Sequence, residues 1–167
     1  TAYEISNHAR PGAACQHNMN YWNAGDWIGI GPGAHGRFCL GSEDPAGMQR
    51  VGIATRRSPA GWLDAVNKHG HATDTLVTDG QNDWAAEMLM MGLRLTSGLS
   101  LARVIAACGA YHNWLDPEGL HRCLDAGWLV ATPENTKSAD NDIAHLHIRA
   151  SETGAIRLNH ILAKLIL

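Results

Sequence analysis

Apolar side chains recur at helical spacing between Asp79 and Thr96, where Trp84, Met88, Met91 and Leu95 form one stripe facing a core. Other helices are marked by their ends. Ser58 is a fitting N-cap followed by Pro59, with Trp62, Leu63 and Val66 on the apolar face and Gly70 as the stop. A short helix runs from Leu101 to Cys108 and stops at Gly109. The next is capped by Asp116 with Pro117 at its first position, turns Leu120, Cys123 and Leu124 inward, and ends at Gly127. Trp128 to Ala131 and Ile143 to Arg149 are predicted strands joined by a polar loop. On the second strand, Ala144, Leu146 and Ile148 share one face and His145, His147 and Arg149 the other. A last helix starts near Ser151 and carries Ile156, Ile161, Leu162 and Leu165. Helix, helix, helix, hairpin, helix is the order of a winged-helix-like module.

The first third has a different texture, Gly-rich and irregular. Tyr3 to Ser6 is expected as a short strand, Pro11-Gly12 as a turn, and Asp26 to Gly31 as a buried strand entering a Gly-rich turn that runs to Gly36. Two strands cannot complete a sheet, so partner strands are expected elsewhere. The chain opens at Thr1 without Met and enters Tyr3-Glu4-Ile5-Ser6-Asn7 at once, so a preceding segment is also expected. The texture changes between Gly70 and Thr78, and a boundary is placed there.

With 167 residues and 45% apolar content, the chain can bury one good core, or one small core and part of another. A formal net charge of -3 offers no general attraction for nucleic acid or anionic membranes. No stretch has the roughly 18 consecutive apolar residues of a spanning helix, and no signal peptide opens the chain, so a soluble cytoplasmic protein is expected. Cys15, Cys39, Cys108 and Cys123 have no metal-type spacing and are expected to be reduced, structural thiols.

Functional side chains are densest at His17-Asn18-Met19-Asn20-Tyr21-Trp22. Imidazole can ligate haem iron axially, and flat aromatics suit a porphyrin face. A rim loop whose His and Asn bond neighbouring backbone accounts for the same residues, and the chemistry leaves both readings open. Ile28-Gly29-Ile30-Gly31-Pro32-Gly33-Ala34-His35-Gly36 lets backbone approach a ligand closely, yet its glycine spacing is not the dinucleotide fingerprint; a tight structural turn fits equally. His69-Gly70-His71 and His145-Leu146-His147 pair imidazoles without a third ligand, and a solvated face explains them better than zinc. Met88, Met90 and Met91 fit helix packing. No nucleophile and base can be assembled from the sequence, so no catalytic residue is assigned.

Together these runs are specific. Tyr3-Glu4-Ile5-Ser6-Asn7, Ala9-Arg10-Pro11-Gly12, Cys15, His17-Asn18-x-Asn20-Tyr21-Trp22, Gly25-Asp26 and the Gly-rich run to Gly36 closely resemble the family of HemW and the oxygen-independent coproporphyrinogen oxidases. Ala86-Glu87-x-Leu89-Met90-Met91-Gly92-Leu93-Arg94-Leu95, Gly98, Gly127-Trp128-Leu129, Gly154 and Asn159 extend the likeness over nearly the whole chain.

The resemblance implies a radical S-adenosylmethionine (SAM) protein of α/β class: the end of a partial α/β barrel over residues 1–57, a connecting helix and linker over 58–77, and a small winged-helix-like α+β domain over 78–167. It implies a four-iron four-sulfur cluster and SAM in the full-length protein. The family's C-x-x-x-C-x-x-C triad is missing from this chain, which is read as a matter of coverage and leaves the chain inactive alone. Within the family, the His17 to Trp22 motif favours the HemW branch, whose members bind haem and deliver it to haem proteins. His17 is carried over as candidate axial ligand to haem iron, with Tyr21 and Trp22 as ring contacts and Asn18 orienting the imidazole. Ala34 and His35 fall where the oxidase branch approaches SAM. The expected partners are haem and recipient haem proteins, with a peripheral membrane encounter only through a recipient. Coproporphyrinogen oxidation is the alternative. A winged-helix nucleic-acid binder is the remote one, since the segment Pro117 to Ala126 offers only His121 and Arg122 against Glu118 and Asp125.

Overall fold

The computed structural model describes residues 1–41, 48–134 and 142–167. They form two compact units: Gly25–Gly80, and Thr1–Ala24 together with Gln81–Leu167. Contacts thus group the first 24 residues with the C-terminal part of the chain.

In the larger unit, α1 (Gln16–Trp22) is followed, after the smaller unit, by α3 (Gln81–Gly92), β4 (Leu99–Ser100), α4 (Leu101–Cys108), α5 (Pro117–Asp125), β5 (Leu129–Pro133), β6 (Leu146–Ala150), α6 (Glu152–Ala155) and α7 (Leu158–Leu165). The sheet order is β4-β6-β5, antiparallel throughout. Helix, strand, helix, helix and hairpin, with the first strand laid against the last, is a winged-helix arrangement. The caps expected from sequence are in place: the Ser100 hydroxyl accepts from Arg103 N and the Asp116 carboxylate from Glu118 N. Ser151 caps α6, but the expected final helix is divided there, α7 starting only at Leu158. Leu89, Leu101, Val104, Leu120, Cys123, Ile148 and Ile161 are fully buried and make the core. The loop expected between the hairpin strands lies mostly in 135–141, outside the described residues.

Strand β4 has no signature in the hydrophobic pattern. Gly98 makes it: with φ of 77° it turns the chain out of the α3 exit, and a Cβ there would sit 2.1 Å from the Ile148 carbonyl oxygen. That close approach lets Leu99 pair with Ile148.

In the smaller unit, β1 (His35–Leu40), β2 (Gln49–Thr55) and β3 (Thr73–Thr78) form an antiparallel sheet in that order, and α2 (Pro59–His69) connects β2 to β3. Helix α2 begins on a Ser58 cap and ends at Gly70 in the left-handed conformation. Arg50 is the buried pivot of the unit: it bonds Asp26 Oδ1 at 2.7 Å and the Gly25 carbonyl at 3.0 Å.

Two strand expectations are corrected. Tyr3–Ser6 is not a strand; isolated bridges pair Ala2 with His8 and Glu4 with Leu95. Asp26–Gly31 is neither buried nor a strand beyond a bridge from Trp27 to Arg37, and Ile28 and Ile30 are 72% and 90% exposed. The cause is Gly29, whose missing Cβ would meet the His35 carbonyl oxygen at 2.1 Å. The segment folds its backbone, instead of its side chains, against β1.

Candidate functional site

Helix α1 divides the His17–Trp22 cluster onto two faces, because residues four apart stack along a helix. His17 and Tyr21 share one. Their rings meet edge to face at 4.7 Å and 89°, and His17 is exposed with no hydrogen bond among the described residues. Asn18 and Trp22 share the other face, turned toward the rest of the unit. Asn18 Nδ2 donates to the Tyr3 hydroxyl at 3.2 Å. Trp22 lies under Arg94, whose Cζ is 4.5 Å from the ring centroid, within cation–π range. Arg103 fastens the end of the helix by donating to the Asn23 carbonyl. No side chain caps the N-terminus of α1.

The amide of Asn18 is therefore engaged with Tyr3. The four candidate residues divide into an exposed His17 with the half-buried Tyr21 against its ring, and an anchoring pair, Asn18 and Trp22.

Sequence reasoning did not single out the anchor's other half. Glu4 is fully buried and accepts from Ser6 N at 2.8 Å, Asn7 Nδ2 at 2.6 Å and Arg94 at 3.2 Å. A carboxylate at that depth needs such donors. Both residues belong to the family-like runs, which was the only available signal.

Ala34 and His35 sit in the smaller unit. Ala34 N donates to Thr55 Oγ1 at 3.0 Å, and its carbonyl accepts from Thr55 N at 2.9 Å. His35 is exposed and lines a cleft of about 540 Å³ with Trp27, Arg37, Ile53, Arg57 and Asp79. Arg37 and Asp79 close an ion pair at 2.5 Å across it.

The thiols do not fit an iron–sulfur cluster. Cys15 is exposed, Cys39 partly so, and Cys108 and Cys123 are buried; no three His, Cys, Asp or Glu among the described residues come together as a metal site. Burial raises the thiol pKa of both Cys39 and Cys123. Of the paired histidines, His69 and His71 have ring centroids 6.5 Å apart, and His71 Nδ1 accepts from Thr73 N. On α5, Arg122 bonds Asp116 and Glu118, and His121 Nδ1 lies 2.7 Å from the Pro117 carbonyl, so both side chains that a nucleic-acid reading needs are engaged by the helix and its cap. No helix among the described residues is long and apolar enough to cross a membrane.

No family model matches the chain. The heme chaperone HemW of Escherichia coli (strain K12) is 32% identical over 161 residues, covering 96% of this chain and 36% of that protein. HemW is also the name of the relative in Mycobacterium tuberculosis, 62% identical over 114 residues, 63% of this chain and 24% of that one. This chain is similar to HemW along nearly its whole length. A mouse protein, radical S-adenosyl methionine domain-containing protein 1, mitochondrial, is 41% identical over 98 residues, 59% of this chain and 22% of the relative. The chain therefore spans from about a fifth to just over a third of the length of these relatives. Among solved structures, the radical SAM enzyme coproporphyrinogen III oxidase (HemN) of Escherichia coli aligns over 84% of this chain and 28% of its own, with a TM-score of 0.53 and 12% identity. That likeness concerns the fold, and the chain has the α/β class expected from its sequence.

Proposed function

We propose that this chain is part of a cytoplasmic radical SAM-type haem chaperone, in which His17 supplies an axial imidazole to haem iron and Tyr21 covers the ring. The observation that carries the reading is the state of His17. It is exposed, its imidazole makes no hydrogen bond among the described residues and so leaves its ring nitrogens open to a metal, and the Tyr21 ring stands edge to face with it at 4.7 Å. Similarity to proteins named heme chaperone HemW supports haem as the cargo. Delivery to recipient haem proteins is proposed on the same ground. Trp22, held beneath Arg94, serves this reading as the support of α1.

A four-iron cluster and SAM belong, on this reading, to the longer protein, with Ala34 and His35 on its SAM side. Coproporphyrinogen oxidation draws support only from a shared fold, and folds host many chemistries.

Haem titration of the chain and of its His17→Ala variant tests the proposal. The variant is expected to bind haem more weakly and to show a shifted Soret band, while His145→Ala and His147→Ala behave as the parent does. A His17 variant with unchanged affinity and spectrum overturns the assignment of the ligand.

A further inference from the structure

A second cleft in the larger unit, of about 440 Å³, lies between Ile5, Arg94 and the segment joining α6 to α7. Its size falls in the range of small-molecule sites. Its lining is chemically one-sided. Among the described residues, Arg94, Arg157 and His160 are the ionisable side chains that line it, Asn159 adds an amide, and no Asp or Glu does. Arg94 is already engaged with the buried Glu4. Arg157 is different: it is exposed, donates only to the Thr153 carbonyl, and has no acidic partner among the described residues. His160 is held edge to face against Trp128 at 5.3 Å.

Beside these groups stand two exposed apolar side chains. Ile156 is 80% exposed and Ile5 38%. Ile156 directly precedes Arg157, so hydrophobic surface and uncompensated positive charge meet in one cleft. Water solvates the second well and the first poorly, and a ligand that presents a carboxylate to Arg157 and an apolar body to Ile5 and Ile156 satisfies both.

We infer that this cleft binds the carboxylate arm of an amphipathic ligand, Arg157 taking the carboxylate and Ile5 and Ile156 the apolar body. The inference rests on the haem reading only in choosing a porphyrin propionate over the head of a fatty acid as that carboxylate. It does not require iron.

Four probes separate the cases: haemin, iron-free protoporphyrin IX, protoporphyrin IX dimethyl ester and laurate, each titrated into the chain and into Arg157→Ala, Arg157→Lys and His17→Ala. Arg157 is exposed and among the described residues bonds one backbone carbonyl, so its replacement should leave the fold intact, as circular dichroism would verify. Lys68→Ala, at an exposed pair with Asp64 in the smaller unit, is the control. Arg157→Ala is expected to weaken protoporphyrin IX about tenfold, the scale of one charge-assisted hydrogen bond. The ester should bind the parent as weakly as the acid binds the variant, and Arg157→Lys should recover part of the loss. Tighter binding of laurate than of protoporphyrin, still dependent on Arg157, upholds the cleft and reassigns the carboxylate to a fatty acid. Binding of protoporphyrin that is indifferent both to Arg157 and to esterification overturns the cleft while leaving His17 as ligand untouched. Arg157-dependent binding with a His17→Ala variant unchanged toward haemin does the reverse. Failure of the parent to bind any of the four probes overturns the cleft outright.

Discussion

The Arg94 guanidinium joins two residues far apart in sequence: its Cζ stands 4.5 Å from the centroid of Trp22, and its Nη2 donates to Glu4 Oε2 at 3.2 Å. One cation thus holds both the aromatic end of α1 and a fully buried carboxylate.

Arg94→Ala should therefore destabilise the chain by about 3 kcal/mol, because it strips the counter-charge from a carboxylate that solvent does not reach. Urea unfolding of the single variant, of Glu4→Gln and of the double variant measures this. The double variant should be more stable than Arg94→Ala alone; strictly additive losses would show that the two residues are not coupled.

Gly98→Ala is expected to cost about 3 kcal/mol, since the new methyl would press on the Ile148 carbonyl at a residue whose φ is 77°. Thermal unfolding measures the loss. Hydrogen exchange should place it at the β4–β6 pairing, and unchanged protection of Ile148 and its neighbours would count against this account.

The carboxyl of Asp116 is held below its ordinary value of 3.8, first by the Gly119 and then by the Glu118 backbone N–H, with Arg122 adding to the effect. A depressed folded pKa means stabilisation that is present above the ordinary value and lost as pH falls through the folded one. The stability gap between the parent and Asp116→Ala should accordingly be constant at neutral pH and begin to close below about pH 4. A gap that stays constant down to pH 2 would show that the charge of the cap contributes nothing.

A thiol-specific disulfide reagent should modify Cys15 first, because it is exposed. Cys39 should follow slowly, its thiol held protonated mainly by burial. Cys108 and Cys123 should react only on unfolding. Mass mapping of the first modified site decides the order, and early modification of Cys123 would place α5 outside the core.

The sequence disclosed elements that announce their own ends. Ser58, Pro59 and Gly70 bound α2, Asp116 and Pro117 open α5, and the hairpin strands lie within a few residues of expectation. Tertiary context decided the rest. Every residue of β3, Thr73–Thr78, is exposed, so no alternation of buried and solvated positions marks it. Ile28 and Ile30 alternate with glycine as a buried strand would, but the close approach at Gly29 reverses which part of the segment packs inward. At the site, composition drew attention to the run from His17 to Trp22 without dividing its roles. The division arises from the four-residue repeat of α1, and it also depends on Tyr3 and Arg94, which are distant in sequence.

That division sets a condition on any mutational scan of α1. Loss of binding in a Trp22 or Asn18 variant confounds the affinity of a site with the population of the conformation that displays it, because those side chains fix where the helix lies. A ligand titration alone would assign such a residue to the binding surface. On the proposed haem reading, variants of His17 and Tyr21 should report intrinsic affinity, whereas variants of Asn18 and Trp22 should lower the fraction of competent molecules and recover binding when the helix is tethered by other means.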